Sequence, residues 1–164
     1  MNHRASEFPH GAMRRKDREI TNRGEIDAII HAGRVMRLAL ADNNVPFVVP
    51  LCYAYDGASL FFHSATAGTK IEILKRNPVV CFEVSLDHEV VKGESACAFG
   101  MRHRTVIGHG RAAFVEDEVE KVKALNRIVA RFGAAATGYP PENMARTLIV
   151  RIGIESVKGK KHNI

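Results

Sequence analysis

The segment "PFVVPLCYAY" (residues 46–55) constrains the fold most. Phe47, Val49, Leu51, Tyr53 and Tyr55 alternate with Val48, Cys52 and Ala54, so both faces of an extended strand are apolar. Such a strand is expected to be covered on both sides. Pro50 sits in its middle and has no N–H to give to a ladder, so a neighbour must be missing, bulged or replaced there.

The flanking sequence supplies partners joined by tight turns. "RVMRLALA" (34–41) reads as a strand ended by Asp42-Asn43-Asn44, and Asp56-Gly57 turns the chain into "SLFFHS". With no helical crossover between them, strands 34–41, 46–55 and 59–64 are antiparallel. "NPVVCFEVSL" and "RTVIGHGRAAFVED" (104–117) continue the pattern, the latter with Gly108 and Gly110 at period two, a sign of a bend or a close approach. "RTLIVRIGIESV" (146–157) turns Leu148, Val150, Ile152 and Ile154 inward. Residues 87–103 read as irregular and "AAATGYPPENMA" as a loop.

Helices enter singly. "TNRGEIDAIIHAG" has a cap at Thr21 or Asn22, an apolar stripe of Ile26, Ile29 and Ile30, and a stop at Gly33. Ile71, Ile73 and Leu74 mark a second helix. "DEVEKVKALNRIVARFG" is the clearest, with acidic residues at its start and Val122, Leu125, Ile128, Val129 and Phe132 on one face. The expected class is α+β, mainly β: six antiparallel strands with flanking helices, closing toward a small barrel that hides its edges.

Composition narrows the function classes. A chain of 164 residues suits one domain, read here as residues 19–158 between a flexible basic arm (1–18) and a basic tail (159–164). The net charge of +6 resides wholly in residues 1–18 and 158–164, so the body lacks the basic face of a nucleic-acid binder. No apolar run suits a membrane span or a secretion signal, which points to a cytoplasmic protein with reduced thiols at Cys52, Cys81 and Cys97. His88, Cys97, His103 and His109 lack the short paired spacing of a metal site, so no metal is expected and they read as scattered surface residues. Ser64 beside His63 lacks a nucleophile elbow, and strand neighbours point to opposite faces.

One joint carries suggestive chemistry. In "FFHSATAGTKIEILKRNPVVCFEV" (61–84) a strand passes through small residues into a helix opening near Thr69. Ser64, Thr66 and Thr69 offer hydroxyls, Lys70 a charge, and the helix N-terminus unpaired N–H groups, a set suited to a terminal phosphate. The order Gly-Thr-Lys is not that of a nucleotide-hydrolysing P-loop. The alternative is that Thr69 only caps the helix while Lys70 is solvated.

The ordered set "MRRKDREI", "RLALADNNVPFVVPLCYAYDG", "LFFHSATAGTKIEILKRNPVVCFEV", "RHRTVIGHGRAAFVED" and "TLIVRIGIESVKGK" resembles the pyridoxamine 5′-phosphate oxidase-like split-barrel flavoproteins, in their nitroimidazole-resistance branch. The resemblance implies FMN at the interface of a homodimer of six-stranded split barrels. It places the isoalloxazine along Val48, Val49, Pro50 and Leu51 through main-chain contacts, with Phe62 and His63 beside it. Ser64, Thr69 and Lys70 would meet the phosphate, and Arg104, Thr105 and Val106 would reach the cofactor from the second subunit. His63 has two roles open to it: proton donor to a reduced substrate, or a hydrogen bond to the ribityl chain or phosphate. The family usually has tyrosine near position 103 and serine at 105, where this chain has His103 and Thr105. The oxidase's own C-terminal Arg and His substrate pattern is absent from "RIGIESVKGKKHNI", which argues against vitamin B6 oxidation. The implied activity is reduction of a small, nitroaromatic-like acceptor by an FMN-dependent oxidoreductase. The alternatives are a non-catalytic flavin or haem binder, or a related enzyme with another substrate.

Overall fold

The computed structural model describes residues 10–135, 138–162 and 164. Eight strands form one sheet: β1 (Glu19–Ile20), β2 (Val35–Asp42), β3 (Val45–Cys52), β4 (Ala54–Tyr55), β5 (Ser59–Ala65), β6 (Val79–Val91), β7 (Gly100–Val115) and β8 (Thr147–His162). Their order is β3-β2-β6-β7-β8-β5-β4, with β1 on β8, and every pairing is antiparallel. β3 and β4 do not pair with each other among the described residues, so the barrel of six long strands is split rather than closed. Four helices, α1 (Arg23–Ala32), α2 (Thr69–Arg76), α3 (Glu118–Ala130) and α4 (Pro141–Ala145), flank it.

The turns follow from local chemistry. Asn43 and Asn44 adopt φ of 49° and 66°, the left-handed pair that a two-residue hairpin between β2 and β3 requires. Gly57 takes φ 98°, while the Asp56 carboxylate accepts from the N–H groups of Ala58 and Ser59. Asn22 is the cap of α1, accepting from the Glu25 N–H at 3.0 Å, and Asp117 caps α3 in the same way at 2.9 Å.

The core fills the barrel from one end. Ile26, Ile29 and Ile30 of α1 pack on Met36, Leu38, Phe62, Phe82, Val84, Val106 and Ile152, all buried. At the C-terminus of α1 the Tyr53 hydroxyl donates to the Ile30 carbonyl at 2.5 Å. A second cluster seats Ala124, Leu125 and Ile128 of α3 on Ala54, Phe61 and Ile149. The stripe expected on α3 is rotated: Ala124 is buried, whereas Val122 and Phe132 lie exposed at the surface.

Several sequence expectations are corrected. The apolar run 46–55 is two strands, because the ladder breaks at Tyr53, whose ring turns into the core. β3 is an edge strand, which is where Pro50 is tolerated, but within one chain it is not covered on both faces: Val48 is 58% exposed and Pro50 is exposed. Much of 87–103 is not irregular, since β6 and β7 run on as a hairpin arm past a bulge between Leu86 and Glu89. "PPENMA" contains α4, with a proline at its start.

The ends of the chain also have structure. β8 continues through Lys158, Gly159, Lys160 and Lys161 to His162, pairing with β7 and β1. Of the N-terminal arm, residues 1–9 lie outside the described residues. Lys16–Arg18 form one 3-10 turn.

Candidate functional site

The strand-to-helix joint is built differently from a plain cap. Gly68, not Thr69, is the cap residue of α2, with φ 126° and no side chain to close the helix end. The Gly68 carbonyl accepts from the N–H groups of Ile71 and Glu72. The first helical N–H groups, those of Thr69 and Lys70, are the ones that helix geometry leaves without an intrahelical acceptor. They carry the partial positive charge of the helix N-terminus. Among the described residues neither Thr69 nor Lys70 is ion-paired or hydrogen-bonded through its side chain.

Strand alternation separates the neighbours His63 and Ser64. His63 is exposed, while Ser64 is 6% exposed. The Ser64 Oγ is fully buried and has no hydrogen-bond partner among the described residues. A buried hydroxyl without a partner is costly, and a ligand oxygen would satisfy it.

Folding brings this joint against the head of β3. Ala67, Gly68, Thr69, Glu72 and Ile73 face Val45, Pro46 and Phe47 across one open groove of about 730 Å³. Asp42, Glu72 and Arg76 line its floor, but both acids are matched, Asp42 by Arg76 at 2.5 Å and Glu72 by Lys75 at 2.9 Å. The Arg76 guanidinium holds the Asp42 carboxyl below the usual carboxylate range. From Pro46 to Leu51 the open edge of β3 extends the site by about 16 Å, at about 3.3 Å per residue. Val49 and Leu51 turn toward the core, and Val48 and Pro50 turn outward.

The other expected residues fall in two groups. Phe62 and Val106 are fully buried in the core, so neither presents a side chain to a ligand. Arg104 and Thr105 lie on β7, which two strands separate from β3 in the sheet. Arg104 is ion-paired with Asp87, and the pair holds the Asp87 carboxyl below its ordinary range. Asp87 itself adopts φ 60° at the bulge. The Thr105 hydroxyl lies 2.9 Å from the Ser85 hydroxyl and 3.3 Å from His103 Nδ1. One chain therefore gathers the head of β3 and the start of α2, and leaves Arg104 and Thr105 on a different part of the surface.

Sequence reasoning missed Gly68, Pro46 and Phe47 as groove residues; the position of glycine one residue before Thr69 was the available signal. It also took His109 for a surface histidine. His109 is half-buried, with its ring 5.5 Å from that of His10. Among the described residues no group of three His, Cys, Asp or Glu is placed to hold a metal, and no helix is long and apolar enough to cross a membrane.

Comparison with known proteins agrees with this architecture. The sequence profile of the pyridoxamine 5′-phosphate oxidase family matches residues 22–161, and the chain belongs to that family. A solved candidate 5-nitroimidazole antibiotic resistance protein from Bacteroides thetaiotaomicron is 28% identical, with TM-score 0.79 over 87% of this chain and 86% of that one. A FAD-binding protein from Mesorhizobium loti is also 28% identical, with TM-score 0.64 over 88% of this chain and 95% of that one. A flavocytochrome of Azotobacter vinelandii, 22% identical, shares the fold at TM-score 0.81, over 94% of this chain and 73% of that one. An uncharacterised protein of Rhizobium meliloti is 32% identical over 66 residues, 40% of this chain and 43% of that protein's length.

Proposed function

We propose that this protein binds a flavin, FMN, in the groove between β3 and the start of α2, and reduces a small nitroaromatic-like acceptor there. The observation that carries the reading is the pairing of the partnerless, buried Ser64 Oγ with a helix end that no side chain caps. Both belong to one short connection, and both are satisfied by a phosphate. Lys70 adds a cation without a competing carboxylate partner. The β3 edge, interrupted at Pro50, offers main-chain donors and acceptors to a flat ring. Relatives whose names state FAD binding or nitroimidazole resistance support the same class.

When bound, the flavin would supply the two-electron chemistry. The chain's own part is to hold the phosphate with Ser64, Thr69 and Lys70, and to align the ring on β3. His63, on the face of β5 opposite Ser64, would give a proton to the reduced acceptor or bond the cofactor's polar chain.

A homodimer completes this reading. The outer face of β3 and β2 leaves Val48 at 58% and Val35 at 42% exposure, an apolar surface that a second copy would cover. In that arrangement Arg104, Thr105 and Val106 would approach the partner's cofactor. The test is titration of flavin-stripped protein with FMN and with FAD, following quenching of flavin fluorescence. Tight one-to-one uptake of FMN is expected. No uptake of either flavin would overturn the proposal.

A further inference from the structure

Beside α3, on the outer face of the sheet and apart from the groove at α2, lies a hollow of about 290 Å³. Strand register sets its floor as one row across three strands: Phe61 of β5 is opposite Arg151 of β8, and Arg151 is opposite Ala113 of β7. Their neighbours Phe62 and Val150 face the other way, into the core. Ala124, Leu125 and Ile128 seat α3 on Phe61 and Ile149 at one side of this row. The short side chain of Ala113 leaves space between the row and the first turn of α3, where Asp117 and Glu120 line the opposite wall.

The lining carries charges of both signs that do not meet. Arg127 places its Cζ 5.6 Å from the centre of the Phe61 ring, and Arg151 is the cross-strand neighbour of the same phenylalanine, so two guanidiniums flank one aromatic floor. Among the described residues neither makes an ion pair or a hydrogen bond. Three of the four carboxylates in the lining are engaged elsewhere. Asp56 accepts from the N–H groups of Ala58 and Ser59, Asp117 caps α3, and Glu120 is paired with Lys123 at 2.7 Å. The fourth, Glu116, is exposed on the link between β7 and α3 and has no such partner among the described residues. Two unpaired cations and one unpaired carboxylate thus share one hollow without closing on each other. A molecule bearing both charges satisfies all three.

We propose that this hollow binds a small zwitterion of the α-amino acid class. Its carboxylate lies between Arg127 and Arg151, whose planar guanidiniums match carboxylate geometry. Its ammonium group meets Glu116, and its apolar part rests on Phe61 and Val115. The volume suits a ligand of that size and lies at the small end of ligand pockets. This site shares no residue with the groove between β3 and α2, so it stands whether or not that groove holds a flavin.

The test uses the full chain as purified, with L-leucine as the probe. Two analogues carry one charge each: 4-methylpentanoate lacks the ammonium group, and L-leucinamide lacks the carboxylate. Arginine Nε–H resonances are followed by NMR, those of Arg127 and Arg151 being assigned by single Arg→Gln variants. Saturable shifts of both signals are expected with L-leucine, and either analogue should bind at least tenfold more weakly. Arg151→Gln should weaken L-leucine binding at least tenfold with an unchanged thermal midpoint. Glu116→Gln should bring L-leucine down to the affinity of 4-methylpentanoate, without weakening 4-methylpentanoate itself. The absence of a saturable shift with L-leucine, equal binding of either analogue, or native L-leucine affinity in folded Arg151→Gln or Glu116→Gln would overturn the proposal.

Discussion

Thr69, the first residue of α2, and Pro46, at the head of β3, line the same groove although 23 positions separate them in sequence. That apposition joins an uncapped helix end to an open strand edge, and the proposed flavin site rests on it.

Lys70 is the charge in this site. Its removal should cost about 1.5–3 kcal/mol of phosphate binding, the range for a hydrogen bond to a charged group. Lys70→Ala is therefore expected to weaken FMN binding by about tenfold to a hundredfold. Ser64→Ala gives a different signature: the flavin-free protein should keep or gain thermal stability, because a buried partnerless hydroxyl is gone, while flavin-induced stabilisation shrinks. Thermal denaturation with and without FMN separates the two effects.

The fold was largely legible because the strands that build the barrel have an inside and an outside. Alternation marked β8, and the turns Asn43-Asn44 and Asp56-Gly57 marked the end of β2 and the start of β5. The arm of β6 and β7 was missed because beyond Leu86 it faces no core; Asp87, His88 and Glu89 keep strand pairing nearby without any apolar period. Lysines hid the end of β8 in the same way. α4 is a helix of five residues, too short to show periodicity. The joint at Ser64 to Lys70 was visible as a set of residue types, but the burial of Ser64 and the cap at Gly68 belong to the folded chain. The hollow beside α3 could not be read at all, since its walls come from three strands and a helix.

Gly110 faces the Gly153 carbonyl so closely that an added Cβ would lie 2.3 Å from that oxygen. The obstacle is backbone within a bulged pairing, so it cannot swing aside. Gly110→Ala should destabilise the fold by about 3 kcal/mol, as overpacking does. Gly153→Ala meets nothing within 4 Å and serves as the control, with little change in the denaturation midpoint.

Tyr53 reports on the seat of α1. Its phenol is pushed up to about 12, mainly by burial, with the Arg131 guanidinium 4.9 Å from the ring opposing the shift. A raised folded-state value means that the native state favours the neutral phenol. The contribution is whole below about pH 10, the ordinary value, and is lost as pH rises through about 12. Phenolate absorbance should show one of the three tyrosines ionising near 12, and Tyr53→Phe should remove that step. Loss of the bond to the Ile30 carbonyl should also cost about 1 kcal/mol near neutral pH.

Val48 tests the dimer. Val48→Asp places a charge on the apolar outer face of β3, where a second copy is proposed to pack. Sedimentation velocity should show a monomer in place of a dimer, with flavin lost in parallel. A variant that remains dimeric would remove this face from the interface.

The most direct measurement is the visible absorbance spectrum of the protein as purified, with the released cofactor separated and identified. Two flavin bands near stoichiometric occupancy, and FMN as the released species, are the expected result. A colourless protein that takes up no added flavin, or a haem Soret band without flavin, would contradict the assignment of the groove between β3 and α2.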